Sequence, residues 1–489
     1  MNRMIFNPEV LIAKNKLTSI FRSGEFDKLF AVPDTKAHTD ELTGLATRKF
    51  LVESLAALLS ETLYGTARPG LILIDIDRFK KTNDSFGPVV CDSLLRSVAE
   101  RLRSLSSEAM LIARISGDGF ALIMRDASAA VPLTKTLVEV LCRSYAVDGH
   151  VINIGVSIGI ARADFNCDSA PDLMRAANVA LHQAQHTGGG VVRHFEVSML
   201  AEIAESNALE TEFRAALAAL QPEQCSGNVK NEFEVHYQPQ VSLIDGQLCG
   251  FEALARWRRP ERGLVSPDKF IPMAEQTGLI AILGDWVLAT ACRDASQWPA
   301  TRNCPAGPRV AVNVSPVQLH DEAALVASIQ RALQRSGLAA ERLEIELTET
   351  ALASDVGDTL KAVREIGVKL ALDDFGTGYS SLSRLIQFPF SSIKIDRTFV
   401  ASIDCSSPEP GQQPGEKLIC AIASMGHAFG LVTVVEGIET VEQMEIARRA
   451  GCTEMQGYLV SRAVPSTEVG QLIQSLEAAH TIKVLRDGS

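Results

Sequence analysis

The sequence predicts an α/β protein in which a small α/β domain precedes a (β/α) barrel. Three observations carry this reading. A chain of 489 residues is longer than one hydrophobic core usually organises. Its first half alternates strand-sized apolar runs with amphipathic stretches and contains one hairpin signal. Its second half repeats strand and helix about eight times over about 250 residues, the pattern of a TIM-like barrel.

Residues 1–39 show a loose helical pattern that ends near Ala31-Val32-Pro33-Asp34-Thr35, where Pro and Asp mark a break, and they carry no chemical motif. Residues 40–198 form the first predicted domain. Its strands are LILIDI (71–76), LIARI (111–115), FALIMR (120–125) and VINIGVSIGIA (151–161), and Ser116-Gly117-Asp118-Gly119 joins the second and third as a tight turn. The stretch 199–220 has apolar residues at helical spacing and few breakers, which suits a helical connector. Residues 221–480 supply the barrel, with strands expected at FEVHYQPQV, LCGFEALARW, RVAVNVS, LEIELTE, VKLALDDFG, SIKID, LVTVVEG and EMQGYLVS.

Composition narrows the function. With 46% hydrophobic and 22% charged residues, the chain has the profile of a globular protein. The longest apolar runs are strand-sized and cannot span a bilayer. The N-terminus lacks the apolar core and cleavage site of a signal peptide, so a cytoplasmic location is expected. The ten cysteines are scattered without a CxxC pair and read as reduced. A net charge of −12 argues against DNA or RNA as a partner, because such binding rests on Lys and Arg. An anionic substrate would need cations placed locally, from metals or a few basic side chains.

Polar residues recur at or near the C-terminal ends of the barrel strands: Glu252, Asn313, Glu346, Asp373 with Asp374, Lys394, Glu436 and Gln456. Strand C-termini of a barrel converge on one face, so these residues would meet there. One acid ending a strand is ordinarily a helix cap; the repetition over successive strands is what points to a site. Oxygen ligands without His or Cys favour hard cations, Mg²⁺ or Mn²⁺. The lysine could orient a water, or take its proton once desolvation or metal charge lowers its pKa.

The segments YQPQVSLIDGQLCGFEALARW (237–257), NVSPVQL (313–319), ELTET (346–350), LDDFGTGYSSLSRL (372–385), IKID (393–396), VVEGIET (434–440) and MQGYLVSRAVP (455–465) resemble the EAL family of cyclic di-GMP phosphodiesterases. The resemblance implies two Mg²⁺ or Mn²⁺ ions held by Glu252, Asn313, Glu346, Asp373, Asp374 and Glu436. It places Lys394 at the attacking water and Arg256, Gln456 and Gln238 at the substrate. Glu349 would anchor the mobile loop that begins at Asp374 and links catalysis to a homodimer. No substitution falls on these positions.

DELTGLATRKFL (40–51), LIDIDRFKKTNDSFG (73–87), ARISGDGFAL (113–122) and GVSIGIA (155–161) resemble the GGDEF family of diguanylate cyclases. That resemblance implies Asp75 and Asp118 at Mg²⁺, Asn83 and Asp92 at guanine, and Phe79 and Lys80 near the phosphates of GTP. The departures fall on chemistry. Ser116 and Gly119 replace a glycine and an acid of the signature, and Gln185 and Gly189 stand where two phosphate cations belong. Pro88, Cys91 and Asn178 also differ, and the product-inhibition motif is absent. A domain without cyclase activity is therefore expected, with GTP binding as a regulator still open. The alternatives are a non-catalytic cyclic di-GMP receptor and a bifunctional cyclase and phosphodiesterase.

Overall fold

A computed structural model describes residues 38–62, 68–105, 109–163, 169–186, 189–220, 231–260, 262–353, 356–376, 385, 387–403 and 413–479. The segment 1–37 lies outside them, as does most of the loop that follows Gly376. The chain divides into two compact units, Met1–Asn207 and Ala208–Ser489.

The first unit is built on a six-stranded sheet. Gly70–Ile76 lies at its centre, antiparallel to Gly119–Met124 on one side and to Val156–Arg162 on the other. All six residues of Gly119–Met124 are buried, as are all but the last of Val156–Arg162. Alternate residues of the central strands therefore feed two cores: Ile72, Ile74, Phe120 and Leu122 pack with the helix Pro88–Ser104, while Leu71, Leu73, Ala121 and Ile123 pack with Arg48–Thr62 and Ala170–His186. The expected hairpin is present, with Ser116 opposite Gly119. The expected strand 151–161 is two pieces, His150–Ile152 and Val156–Arg162, because the first pairs with Tyr145–Val147 in a separate two-stranded ribbon.

The second unit is a closed eight-stranded barrel. Leu248–Arg259, Arg309–Asn313, Leu343–Thr348, Lys369–Phe375, Ser392–Ile395, Val432–Val435 and Glu454–Gln456 pair in parallel in that order. Phe233–Ser242 closes the ring, antiparallel to both Leu248–Arg259 and Glu454–Gln456. All eight expected strands occur. Val310, Val312, Ile345, Leu347, Leu370, Leu372, Ile393, Ile395 and Met455 join the apolar core shared with the helices. The residues between them, Asn313, Glu344, Glu346, Asp373, Ser392, Lys394, Glu454 and Gln456, fall on the opposite, inward face by the two-residue period of a strand. The barrel interior is thus polar, and it is buried: Glu346 and Lys394 are each 1% exposed.

The connector appears as the helix Val197–Ala218. Its C-terminal half belongs to the barrel, since Leu209, Phe213, Ala216 and Leu217 are buried in the barrel core. Phe213 makes edge contacts with Phe233 and Trp257, at centroid distances of 5.5 and 5.0 Å. Truncating a fully buried Phe costs about 3–5 kcal/mol. Phe213→Ala should therefore destabilise the barrel by that amount. Urea unfolding followed by tryptophan fluorescence measures it, because all three tryptophans, 257, 286 and 298, lie in the barrel. An unchanged midpoint would show the helix to be dispensable for the barrel.

Candidate active site

Strand register brings the acids together. Glu252 pairs across to Ala311, Asn313 to Glu346 and Thr348 to Asp373, so the inward side chains of neighbouring strands step around one mouth of the barrel. Glu252 does not end its strand as expected. It is the fifth of twelve residues, and the strand runs on to Arg259 as one arm of a hairpin with Gly263–Val265.

Asp374 needs a different device. In a regular strand it would face away from Asp373. Instead it adopts φ +54°, and the ladder to the next strand is irregular between Leu372 and Phe375. Such a bulge re-aims a side chain. The consequence is that Asp373, Asp374 and Glu436 each bring a carboxylate oxygen within 4.8 Å of the others, and Glu252, Glu346 and Asp373 form a second such triad. Asp373 belongs to both.

Lys394 sits among them. Its Nζ is 2.7 Å from Glu436, 2.8 Å from Glu346, 3.3 Å from Asp373 and 3.6 Å from Glu252. Burial alone would lower its pKa, but Asp373, Glu252, Glu346 and Glu436 hold it well above the usual lysine value. Desolvation therefore does not make this lysine a base on its own.

The carboxylates respond in opposite ways. Burial and the neighbouring acids raise Glu346 and Asp373, and they lift Glu436 to about 8; burial and Asp373 lift Asp374 to about 6. Glu252 is the exception. Burial would raise it, yet Lys394 and the amides of Gln456 and Asn313, donating at 2.6 and 2.7 Å, bring it below the usual value.

The pocket fits hard cations. Five carboxylates face one ammonium, which leaves four formal negative charges that two divalent ions would neutralise. Glu346 Oε1 is buried without a hydrogen-bond partner, a free ligand atom in a site where such atoms are costly. The donors are all oxygen, as Mg²⁺ and Mn²⁺ prefer.

The remaining expected residues lie around this centre. Gln238 accepts from Gln456 at 3.0 Å and donates to the Ser461 carbonyl at 3.2 Å. Arg256 is half-buried on the strand of Glu252, and burial depresses its pKa while Glu252 raises it. Glu349 accepts from the Gly376 amide at 3.3 Å, where the loop leaves the strand of Asp373; residues 377–384 of that loop are outside the described residues.

The first unit assembles its residues less fully. Asp75 is the last residue but one of the central strand, with its pKa raised to about 6 by burial and by Asp118 and Asp77. Gln185 donates to Asp75 Oδ1 at 2.9 Å, so an amide occupies an oxygen expected to face a metal. Asn83 Oδ1 is buried without a partner, whereas Lys80 and Asp92 are exposed and Phe79 packs against the core. The two departures in the hairpin support each other, because a Cβ on Gly119 would lie 2.6 Å from Ser116 Oγ. Asp77 was not singled out in the sequence. It accepts from Ser157 Oγ at 2.6 Å and the Gly190 amide at 2.7 Å, and it lines a cavity of about 470 Å³ with Arg78, Lys81 and Asn153.

Two families match the chain. The diguanylate cyclase GGDEF domain matches residues 37–190 and the EAL domain residues 219–463. The cyclic di-GMP phosphodiesterase NbdA of Pseudomonas aeruginosa is 35% identical over 445 residues, covering 90% of this chain and 54% of its own length. The bifunctional diguanylate cyclase/cyclic di-GMP phosphodiesterase MucR of the same organism is 35% identical over 435 residues, 88% of this chain and 61% of its own. The chain thus spans little more than half the length of these relatives. The GGDEF-EAL structure of Vibrio cholerae LapD, bound to c-di-GMP, has the same fold at 16% identity, with a TM-score of 0.54 over 90% of this chain and 99% of that one. Among the described residues no helix is long and apolar enough to cross a membrane.

The raised carboxyl groups set a pH test. In the folded, metal-free pocket they keep protons that the unfolded chain has released, so stability falls as pH rises from the ordinary carboxylate range through about 8. In EDTA the melting temperature should drop by several degrees between pH 5 and 8, and saturating Mn²⁺ should flatten that drop. A flat profile in EDTA would contradict the crowded-carboxylate account.

Proposed function

Because the chain belongs to the tandem GGDEF-EAL family, we propose that its barrel hydrolyses cyclic di-GMP to linear pGpG with two divalent cations. The observation that carries this reading is the pair of carboxylate triads sharing Asp373. Glu252, Asn313, Glu346 and Asp373 would hold one cation, and Asp373, Asp374 and Glu436 the other. When bound, such ions would neutralise phosphoryl charge and make a water more acidic.

The chain's own residues do the rest. The water oxygen bonds to phosphorus, the bond from phosphorus to the 3′-oxygen breaks, and that oxygen takes up a proton. Arg256 supplies a guanidinium for a non-bridging phosphate oxygen. Lys394 is charged while four carboxylates surround it, and in that form it orients the water by donation. Cations drawing on the same carboxylates would weaken their hold on its proton, the condition under which Lys394 can accept one. Gln456 and Asn313 keep Glu252 ionised and aimed.

Glu252→Ala should abolish metal-dependent release of pGpG, read by chromatography with Mg²⁺ or Mn²⁺. Lys394→Ala should lower kcat by about 10²-fold or more with little change in KM, since its role is expressed in the transition state. Full turnover in Glu252→Ala would overturn the assignment, and a raised KM with normal kcat would make Lys394 a phosphate ligand only.

For the first domain, the reading is GTP binding without turnover, as a regulator of the barrel. Retained Asp75, Lys80, Asn83, Asp92 and Asp118 support binding, and the unpartnered Asn83 Oδ1 favours a ligand there. Gly119, Gln185 and Gly189 remove groups that would stabilise the triphosphate's charge during transfer. Calorimetry with GTP and Mg²⁺ should show binding that Asn83→Ala loses, and Glu252→Ala protein should make no cyclic di-GMP from GTP. Absence of binding at millimolar GTP leaves a structural domain, and product from GTP establishes the bifunctional alternative.

A further inference from the structure

Beneath the carboxylates lies a second polar layer that sequence reasoning passed over. Arg309 opens its strand and turns into the barrel, where Gly250 leaves room for it: a Cβ there would lie 2.4 Å from Arg309 Cγ. Arg309 Nη1 donates to Glu454 Oε1 at 3.0 Å, and Nη2 donates to Glu454 Oε2 and to Gln240 Oε1, the latter at 2.9 Å. Its Nε lies 2.9 Å from Glu344 Oε2. Gln240 is 1% exposed and Gln456 4%. Gln240 Nε2 donates to Gln456 Oε1 at 3.0 Å, and Gln456 Nε2 donates to Glu252 Oε2 at 2.6 Å.

The sense of this chain is fixed at its lower end. A guanidinium only donates, so the amide oxygen of Gln240 must face Arg309 and its NH₂ must face upward. That NH₂ requires the oxygen of Gln456, which leaves the NH₂ of Gln456 to face Glu252. Without the lower two residues, only Gln238, whose NH₂ is committed to the Ser461 carbonyl, would resist a turn of the Gln456 amide that set an oxygen against the carboxylate. We propose that Arg309 and Gln240 are positioning residues: a one-way relay from the barrel floor that holds Glu252 oriented as a ligand. The inference rests on the reading of Glu252 as a metal ligand, and it assigns Gln240 and Arg309 a part in that site which neither touches.

The test is Mn²⁺ binding to the full chain, read by electron paramagnetic resonance without substrate. Supporting residues behind a ligand typically change metal affinity about 10- to 100-fold. Gln240→Leu should weaken Mn²⁺ by about tenfold. Gln240→Glu should weaken it more, because a second acceptor would face Gln456 Oε1 and reverse that amide. A packing role predicts the opposite order, since Glu keeps the shape of Gln and the contact with Arg309. In a Gln456→Leu background either change should add little, because the relay is already cut. Should Gln240→Glu fail to fold, Gln240→Leu and its double variant still decide the matter. Parent-like Mn²⁺ affinity in the Gln240 variants, with binding lost in Glu252→Ala, overturns the relay. Failure of the parent itself to bind Mn²⁺ overturns the metal reading instead.

Discussion

A buried ammonium ringed by carboxylates is the constraint on which the rest of the barrel depends. Lys394 is 1% exposed and has four acidic neighbours within 3.6 Å. Isolated charges at that depth are prohibitively costly, so each must be paired, hydrogen-bonded or neutralised by an ion. Barrel interiors are usually filled by branched apolar side chains. Here the inward positions are polar in at least two layers, and each layer needs the other. The floor ties Arg309 to Glu454, Gln240 and Glu344, and Gln240 passes that order upward to Gln456 and Glu252.

Stability and reactivity are placed on opposite faces of the same strands. Outward Val, Ile and Leu side chains bind the helices into one core, and Phe213 extends that core to the helix that enters the barrel unit. Such packing fixes the strands within the tolerance a ligand set demands. The inward face can then carry repulsion that no marginal surface site would hold. In the metal-free state the cost appears as protons retained by Glu436 and its neighbours, and cations would replace those protons.

Much of this was legible in the sequence because its signals are local or repeated. Eight strand-like runs with polar residues at matching places gave the barrel and the membership of its mouth. Three features escaped for physical reasons. The two adjacent acids were both expected at the site, but nothing local in the sequence marked the left-handed backbone at Asp374 that turns it to the side of Asp373. Gln240 reads as an ordinary strand residue until register pairs it with Gln456, although its place two residues after Gln238 puts both on one face. Arg309 was hidden by distance, since its partners are 69 and 145 positions away. In the first domain the departures were visible, but only packing showed that Ser116 fills the space beside Gly119 and that Gln185 takes up an oxygen of Asp75.

In the proposed reading one carboxylate, Asp373, is shared by two cation sites at the barrel mouth. Anomalous diffraction from crystals soaked in Mn²⁺ tests it most directly. Two manganese peaks a few Å apart are expected, both within bonding distance of Asp373, one beside Glu252 and Glu346 and the other beside Asp374 and Glu436. A single peak, or peaks that leave Asp373 uncoordinated, would contradict it.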